Sequence, residues 1–211
     1  GMLPFALTML ICPRIGARLA GRYSPAALMA AGLTLVGCGN LLSAWAVHAG
    51  GYLSFAAAIA VTGAGAGLLN GDTQKNIMAC VPRERTGMAS GMSTTMRFSA
   101  IMLAIGVFGA LLASHTLQRL QGSLSQVPGP WLAQAPDIAS RVVAGDMQGA
   151  LASLPESTRA LIEPLAQQAF VGGFGLVLTV AGILALLGAL VVGRLMRNPL
   201  PQAQGLVLKT Q

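Results

Sequence analysis

Charge is what this chain lacks most. Of its 211 residues only 9% are Asp, Glu, Lys or Arg, where a water-soluble domain carries about 25%. So few ionised groups cannot cover a water-exposed surface, and lipid is the expected solvent for much of the molecule. Aromatics are also scarce, 5% against 27 glycines, which suits close helix–helix approach more than a bulky aromatic core. The three cysteines, Cys12, Cys38 and Cys80, are scattered and odd in number. They form no disulfide framework and no metal-ligand spacing, and buried or lipid-facing thiols are expected. His48 and His115 lie at outer helix ends while Ser90 lies at the opposite end of its run, so a serine–histidine pair cannot meet at depth. No His or carboxylate pair has metalloprotease spacing. The chain is therefore read as non-enzymatic, with no metal and no cofactor.

The N-terminus also lacks something. Gly1-Met2-Leu3-Pro4 has no basic start and no small-residue cleavage site, which excludes a secretory signal. The apolar run from Met2 to Cys12 is about half of the roughly 20 residues that a crossing helix needs. Residues 1–12 are thus expected to be the end of a truncated spanning helix, from a longer chain or from an internal start at Met2.

What the sequence does have is long apolar runs, at about 26–47, 52–69, 87–113 and 169–193. They are continuous instead of alternating, so they read as helices and not barrel strands. The expected fold is an all-α, polytopic membrane helix bundle with four full spans and the truncated one. Residues 13–113 hold three spans with basic connecting loops, 114–168 an external segment, 169–193 the last span and 194–211 a tail. Ile138, Val142 and Val143, then Leu161, Leu165 and Phe170, recur at helical spacing in the external segment. Short amphipathic helices on the membrane or on the bundle are expected there, serving as a lid, a partner surface or a plain solvated connector.

The positive charge is parcelled out by side. Arg14, Arg18 and Arg22 precede the second run; Lys75, Arg83 and Arg85 precede the fourth; Arg194, Arg197 and Lys209 follow the last. If the helices alternate, all three groups share one face of the membrane, and the positive-inside rule makes that face cytoplasmic. The C-terminus is therefore expected in the cytoplasm. The net charge of +7 needs no nucleic acid to explain it, since a nucleic-acid binder gathers its charge on one exposed patch.

Three features stand out within the runs. Gly63, Gly67 and Gly71 form a small-residue stripe that lets another helix approach, and Gly87 and Gly91 repeat the device at the entrance of the fourth run. Gly63 to Gly67 does not follow a strand, so a phosphate loop is excluded. Ser90, Thr94 and Arg97 share one helical face. With a start near Thr86, Arg97 lies about 16 Å along the axis, deep enough that an Arg normally faces a cavity or a partner. No carboxylate in the apolar runs can pair with it, and snorkelling to the cytoplasmic headgroups is the competing explanation. Met88, Met92 and Met96 form another stripe, suited to core packing or to a promiscuous surface.

Two stretches carry a family resemblance. Pro13-Arg14-Ile15-Gly16-Ala17-Arg18-Leu19-Ala20-Gly21-Arg22 resembles the basic inner loop of major facilitator transporters. Val81-Pro82, with Gly87-Met88-Ala89-Ser90-Gly91 and Arg97, resembles the later loop and helix of fourteen-helix drug:proton antiporters, as does a long external segment before the last helix. The resemblance covers nearly the whole chain as the last four and a half helices of such a protein. Two departures are plain: Gly21 stands where the loop's acidic residue is expected, and Phe98-Ser99-Ala100-Ile101 replaces a glycine-rich continuation after Arg97. The resemblance implies part of a proton-coupled exporter of the bacterial cytoplasmic (inner) membrane, working by alternating access. Its partners would be the lipid bilayer, the missing N-terminal helix bundle, a small amphipathic substrate and protons. Arg14, Gly16, Arg18 and Arg22 would form a cytoplasmic gate loop, and Ser90, Thr94 and Arg97 would line or brace the cavity. The alternative is a helical membrane subunit or scaffold that does not transport.

Overall fold

The computed structural model describes residues 14, 18, 24–49, 51–79, 81–125, 133–151 and 155–195. The expected truncated helix at 1–12, Gly16 and Arg22 of the basic loop, and residues 196–211 of the tail lie outside the described residues. Among the described residues six α-helices are delimited: α1 Pro25–Ala49, α2 Tyr52–Ala79, α3 Thr86–Leu124, α4 Ala135–Val143, α5 Met147–Leu151 and α6 Glu156–Leu195. A 3-10 turn, Arg83–Arg85, joins α2 to α3, and no strand occurs among the described residues. The architecture is all-α. Three stretches, Ala27–Val47, Thr86–Leu124 and Thr158–Leu195, are long and apolar enough to cross a membrane by length and composition. The apolar part of α2, Leu53–Leu69, is shorter.

Local chemistry explains where these helices begin and end. Ser24 caps α1: its Oγ accepts from the Ala27 N–H at 3.3 Å and its carbonyl accepts from the Leu28 N–H at 3.2 Å. Pro25 follows at the first helical position, where its missing N–H costs nothing. α2 runs on through Asp72 and Lys75 to Ala79, so the charged connection to α3 is shorter than its charge pattern suggests. The chain leaves helix near Val81-Pro82, as a residue before proline is pushed away from helical angles.

α3 and α6 are far longer than a bilayer requires. With 39 and 40 residues, each is about 60 Å long against a hydrocarbon core of roughly 30 Å. The apolar runs at 87–113 and 169–193 are only their membrane-like portions. α6 passes through Pro164, which reads in sequence as an interruption. The ring is exposed, and Ala160, whose carbonyl loses its hydrogen bond, is exposed too. Water can then satisfy that carbonyl, which makes the proline tolerable there.

The chain forms two units. One comprises residues up to Leu41, Ala56–Pro82 and Ala181 onward, and within it glycines set the helix spacing. A Cβ placed on Gly39 would lie 2.6 Å from the Thr62 backbone nitrogen. On Gly65 it would lie 2.7 Å from the Gly32 carbonyl oxygen and 2.7 Å from the Val36 nitrogen. On Gly37 it would lie 3.0 Å from the Gly182 carbonyl oxygen, and Gly182 faces Gly37 reciprocally at the same distance. Main chain touches main chain at these points, so any side chain would separate the helices.

The other unit comprises Leu42–Phe55 and Arg83–Val180. Its core joins the C-terminal end of α3, both short helices and the start of α6: Leu120, Leu124, Ile138, Val142, Leu151 and Ile162, with Ala135, Ala139, Ala150, Ala166 and Ala169 between them. On α4, positions 135, 138, 139 and 142 make one apolar stripe. Ile138 and Val142 are buried, while Val143 is half-buried. On α6 the buried position is Ile162, and Leu161, its sequence neighbour, is half exposed. The turn between α4 and α5 is written in two residues. Gly145 adopts a positive φ of 87°, its N–H donates to the Val142 carbonyl, and the Asp146 N–H donates to the Arg141 carbonyl. This is the glycine-terminated helix end known as a Schellman motif. Asp146 then caps α5, its carboxylate accepting from the Gly149 N–H at 2.8 Å, as N-cap residues do.

Candidate functional site

The candidate face lies on α3. Positions 90, 93, 97, 104, 108, 111 and 115 fall on one side of the helix at 3.6 residues per turn. Ser90, Ser93, Ala104, Phe108, Leu111 and His115 are half-buried, while Thr94 and Arg97 are exposed. Ser90 and Arg97 share this side, and Thr94 is rotated toward its edge. Arg97 is exposed by area yet not without an interaction partner.

Hydroxyls in an apolar helix must be satisfied locally, and most here are. Thr34 donates to the Ala30 carbonyl at 2.7 Å, Thr95 to Gly91 at 3.0 Å and Thr179 to Gly175 at 2.8 Å. Each hydroxyl is folded back on its own helix, which makes it tolerable in lipid. Three buried polar atoms depart from this pattern: among the described residues, Ser43 Oγ, His115 Nδ1 and Thr116 Oγ1 have no hydrogen-bond partner. Thr116 faces Gly173 of α6, where an added Cβ would lie 2.8 Å from its hydroxyl oxygen. Sequence reading did not single out this crossing; the adjacent pairs His115-Thr116 and Gly172-Gly173 were the available signal.

The other expected site residues are distributed as follows. Arg14 and Arg18 are exposed on helical backbone. Gly63 and Gly67 are buried on α2, whereas Gly71 is described only as helical backbone. Gly65, which the every-four stripe skips, also meets a neighbouring backbone closely. Gly87 and Gly91 have nothing within 4 Å of an added Cβ. Met88, Met92 and Met96 are exposed, at 67%, 71% and 73%. Among the described residues no cluster of His, Cys, Asp and Glu could hold a metal ion.

The chain is 26% identical over 191 residues to the multidrug efflux pump LfrA of Mycolicibacterium smegmatis, covering 90% of this chain and 37% of the pump. It is 28% identical over 130 residues to the multidrug resistance protein Stp of Mycobacterium tuberculosis, covering 61% of this chain and 24% of that protein. The chain thus spans less than two fifths of the length of these curated relatives. No family model and no solved structure matches it. The resemblance to major facilitator drug exporters of the fourteen-helix type, first carried by the basic loop and the Gly87–Arg97 stretch, is borne out by these similarities.

Proposed function

We propose that this chain is the C-terminal portion of a proton-coupled major facilitator exporter of small amphipathic compounds in a bacterial cytoplasmic membrane. The observation that carries the reading is the similarity to an efflux pump along 90% of the chain. In this reading α1, α2, α3 and the inner part of α6 each cross the bilayer. α2 does so with the shortest apolar stretch, its charged end reaching the cytoplasmic headgroups. The C-terminus is cytoplasmic, as the Lys and Arg distribution requires.

The roles follow from position. Arg14 and Arg18 belong to the cytoplasmic gate loop with Gly16 and Arg22. Ser90 and Arg97, with Thr94 at the edge, line or brace the substrate cavity, and the glycines of α1, α2 and α6 hold the bundle rigid while it rocks against its counterpart. Proton-coupling carboxylates belong to the remainder of the polypeptide, because the apolar stretches of this chain contain none.

The test is efflux of ethidium from everted vesicles or loaded cells of a pump-deficient host, with and without a protonophore. The complete gene product is expected to extrude the dye in a protonophore-sensitive way, and the 211 residues alone are expected not to. Transport by the short chain alone would contradict the reading, as would a complete product that is inserted, folded and inert toward a broad panel of amphipathic compounds. The second of these results would favour a non-transporting helical subunit.

A further inference from the structure

Positive charge is divided unequally between the two units. The residue ranges of the first unit, up to Leu41, Ala56–Pro82 and Ala181 onward, carry Arg14, Arg18, Arg22, Lys75, Arg194, Arg197 and Lys209 against one acid, Asp72. Seven cations against one anion leave a net +6 there, out of +7 for the whole chain.

Helix contacts within that unit gather the charge at one end. Gly32 of α1 faces Leu69 of α2, and Gly39 faces Thr62, so α1 and α2 run antiparallel. Gly37 faces Leu186 of α6, and Leu41 faces Gly182, so α1 and α6 run antiparallel as well. The start of α1 and the ends of α2 and α6 therefore share one end. All seven basic residues lie at or beyond those three termini in sequence, while 24–41, 56–71 and 181–193 contain no charged side chain. Arg14 and Arg18 are exposed on helical backbone four residues apart, a spacing that sets like charges side by side, where they repel. Arg194 is exposed in the last turn of α6.

Membrane topology asks only for an excess of Lys and Arg at this end. Asp and Glu contribute little to orientation, so topology does not bar carboxylates from pairing with these cations. The second unit shows that alternative: Arg141 pairs with Asp137 at 3.1 Å. The first unit has almost no carboxylate to offer, and its anion must come from elsewhere. Arg194 directly follows the apolar run at 169–193, which puts its guanidinium at the depth of lipid phosphates. A guanidinium grips a phosphate through two parallel hydrogen bonds, and basic clusters next to a spanning helix suit anionic lipid.

We infer that the basic end of the first unit, with Arg14, Arg18 and Arg194 at its described part, is a binding surface for the headgroups of anionic phospholipids. The inference rests on the reading of the apolar runs as membrane spans and goes beyond the proposed export.

The test uses the complete protein, reconstituted into vesicles of equal parts phosphatidylcholine and phosphatidylglycerol and then released in mild detergent. Native mass spectrometry identifies the lipids it retains. Phosphatidylglycerol is expected to be retained several-fold more than phosphatidylcholine. Arg14→Gln with Arg18→Gln should at least halve that preference, and Arg14→Lys with Arg18→Lys should keep most of it. Arg119→Gln with Arg141→Gln removes the same charge from the second unit and should leave the preference unchanged. Equal retention of the two lipids by the unsubstituted protein would overturn the inference, since acidic side chains elsewhere in the polypeptide or solvent would then answer these cations. So would an Arg14 and Arg18 pair of substitutions without effect, or equal losses from both glutamine pairs. Because lipid retention requires no transport, a protein that shows the preference and exports nothing would keep the site and reject the exporter; export without the preference would do the reverse.

Discussion

α3 and α6 are almost the same length, 39 and 40 residues, and the C-terminal end of α3 and the N-terminal end of α6 share one small core. Particular glycines of the two helices nevertheless have different surroundings. Gly182 of α6 rests against the main chain of Gly37, whereas Gly87, Gly91, Gly106 and Gly109 of α3 face open space. Apolarity is common to both helices and identifies the solvent they need. What a glycine touches distinguishes a position that holds two helices together from one that does not.

The sharpest way to break this comparison is to fill the occupied glycines. Gly39→Leu or Gly65→Leu should destabilise the packed unit by about 3 kcal/mol or more, since the obstructing atoms are backbone and cannot turn aside. Unfolding in mixed detergent micelles, followed by circular dichroism, would measure it. Gly106→Leu on α3, in the same 211-residue chain, should be neutral or stabilise slightly, because it removes a poor helix former from open space. Equal losses at both places would erase the distinction.

The outer core comes next. Ile162→Ala and Leu120→Ala should each cost about 2–4 kcal/mol, whereas Leu161→Ala, beside Ile162 but half exposed, should cost well under about 1 kcal/mol. Protease protection of the 114–168 segment would report the difference. Smaller effects belong to the α4–α5 turn: Asp146→Ala should lose about 1 kcal/mol as a helix cap, and Gly145→Ala a similar amount because of its positive φ. Smallest is Arg141→Ala. It removes a 3.1 Å ion pair with Asp137 in which both side chains are at least half exposed, and should change stability by less than about 0.5 kcal/mol.

How much of this was legible in the sequence differs along the chain. The four apolar runs fall on α1, α2, α3 and α6 because a long apolar run in lipid has few alternatives to helix. The outer extensions of α3 and α6 were not legible as continuations. Gln118, Arg119 and Gln121 are polar and exposed, and the short core stripe of Leu120 and Leu124 has meaning only once α4 packs on it. Pro164 similarly suggests a break that its exposed position removes. At the candidate face, the shared side of Ser90 and Arg97 follows from spacing alone. The small-residue stripe at 63, 67 and 71 points to α2 without naming Gly65, whose close approach to Gly32 and Val36 depends on where the neighbouring helix crosses. For Gly87 and Gly91 of α3, spacing suggests a packing device, yet nothing lies within 4 Å of an added Cβ at either.

The most direct test of the central claim is a pair of substitutions in the same chain, Gly65→Leu and Gly106→Leu, with unfolding in mixed micelles followed for both. The account predicts a loss of stability at Gly65, where the Gly32 carbonyl oxygen and the Val36 nitrogen each lie 2.7 Å from an added Cβ, and none at Gly106, where nothing lies within 4 Å. A chain that tolerates leucine at both positions alike would contradict it.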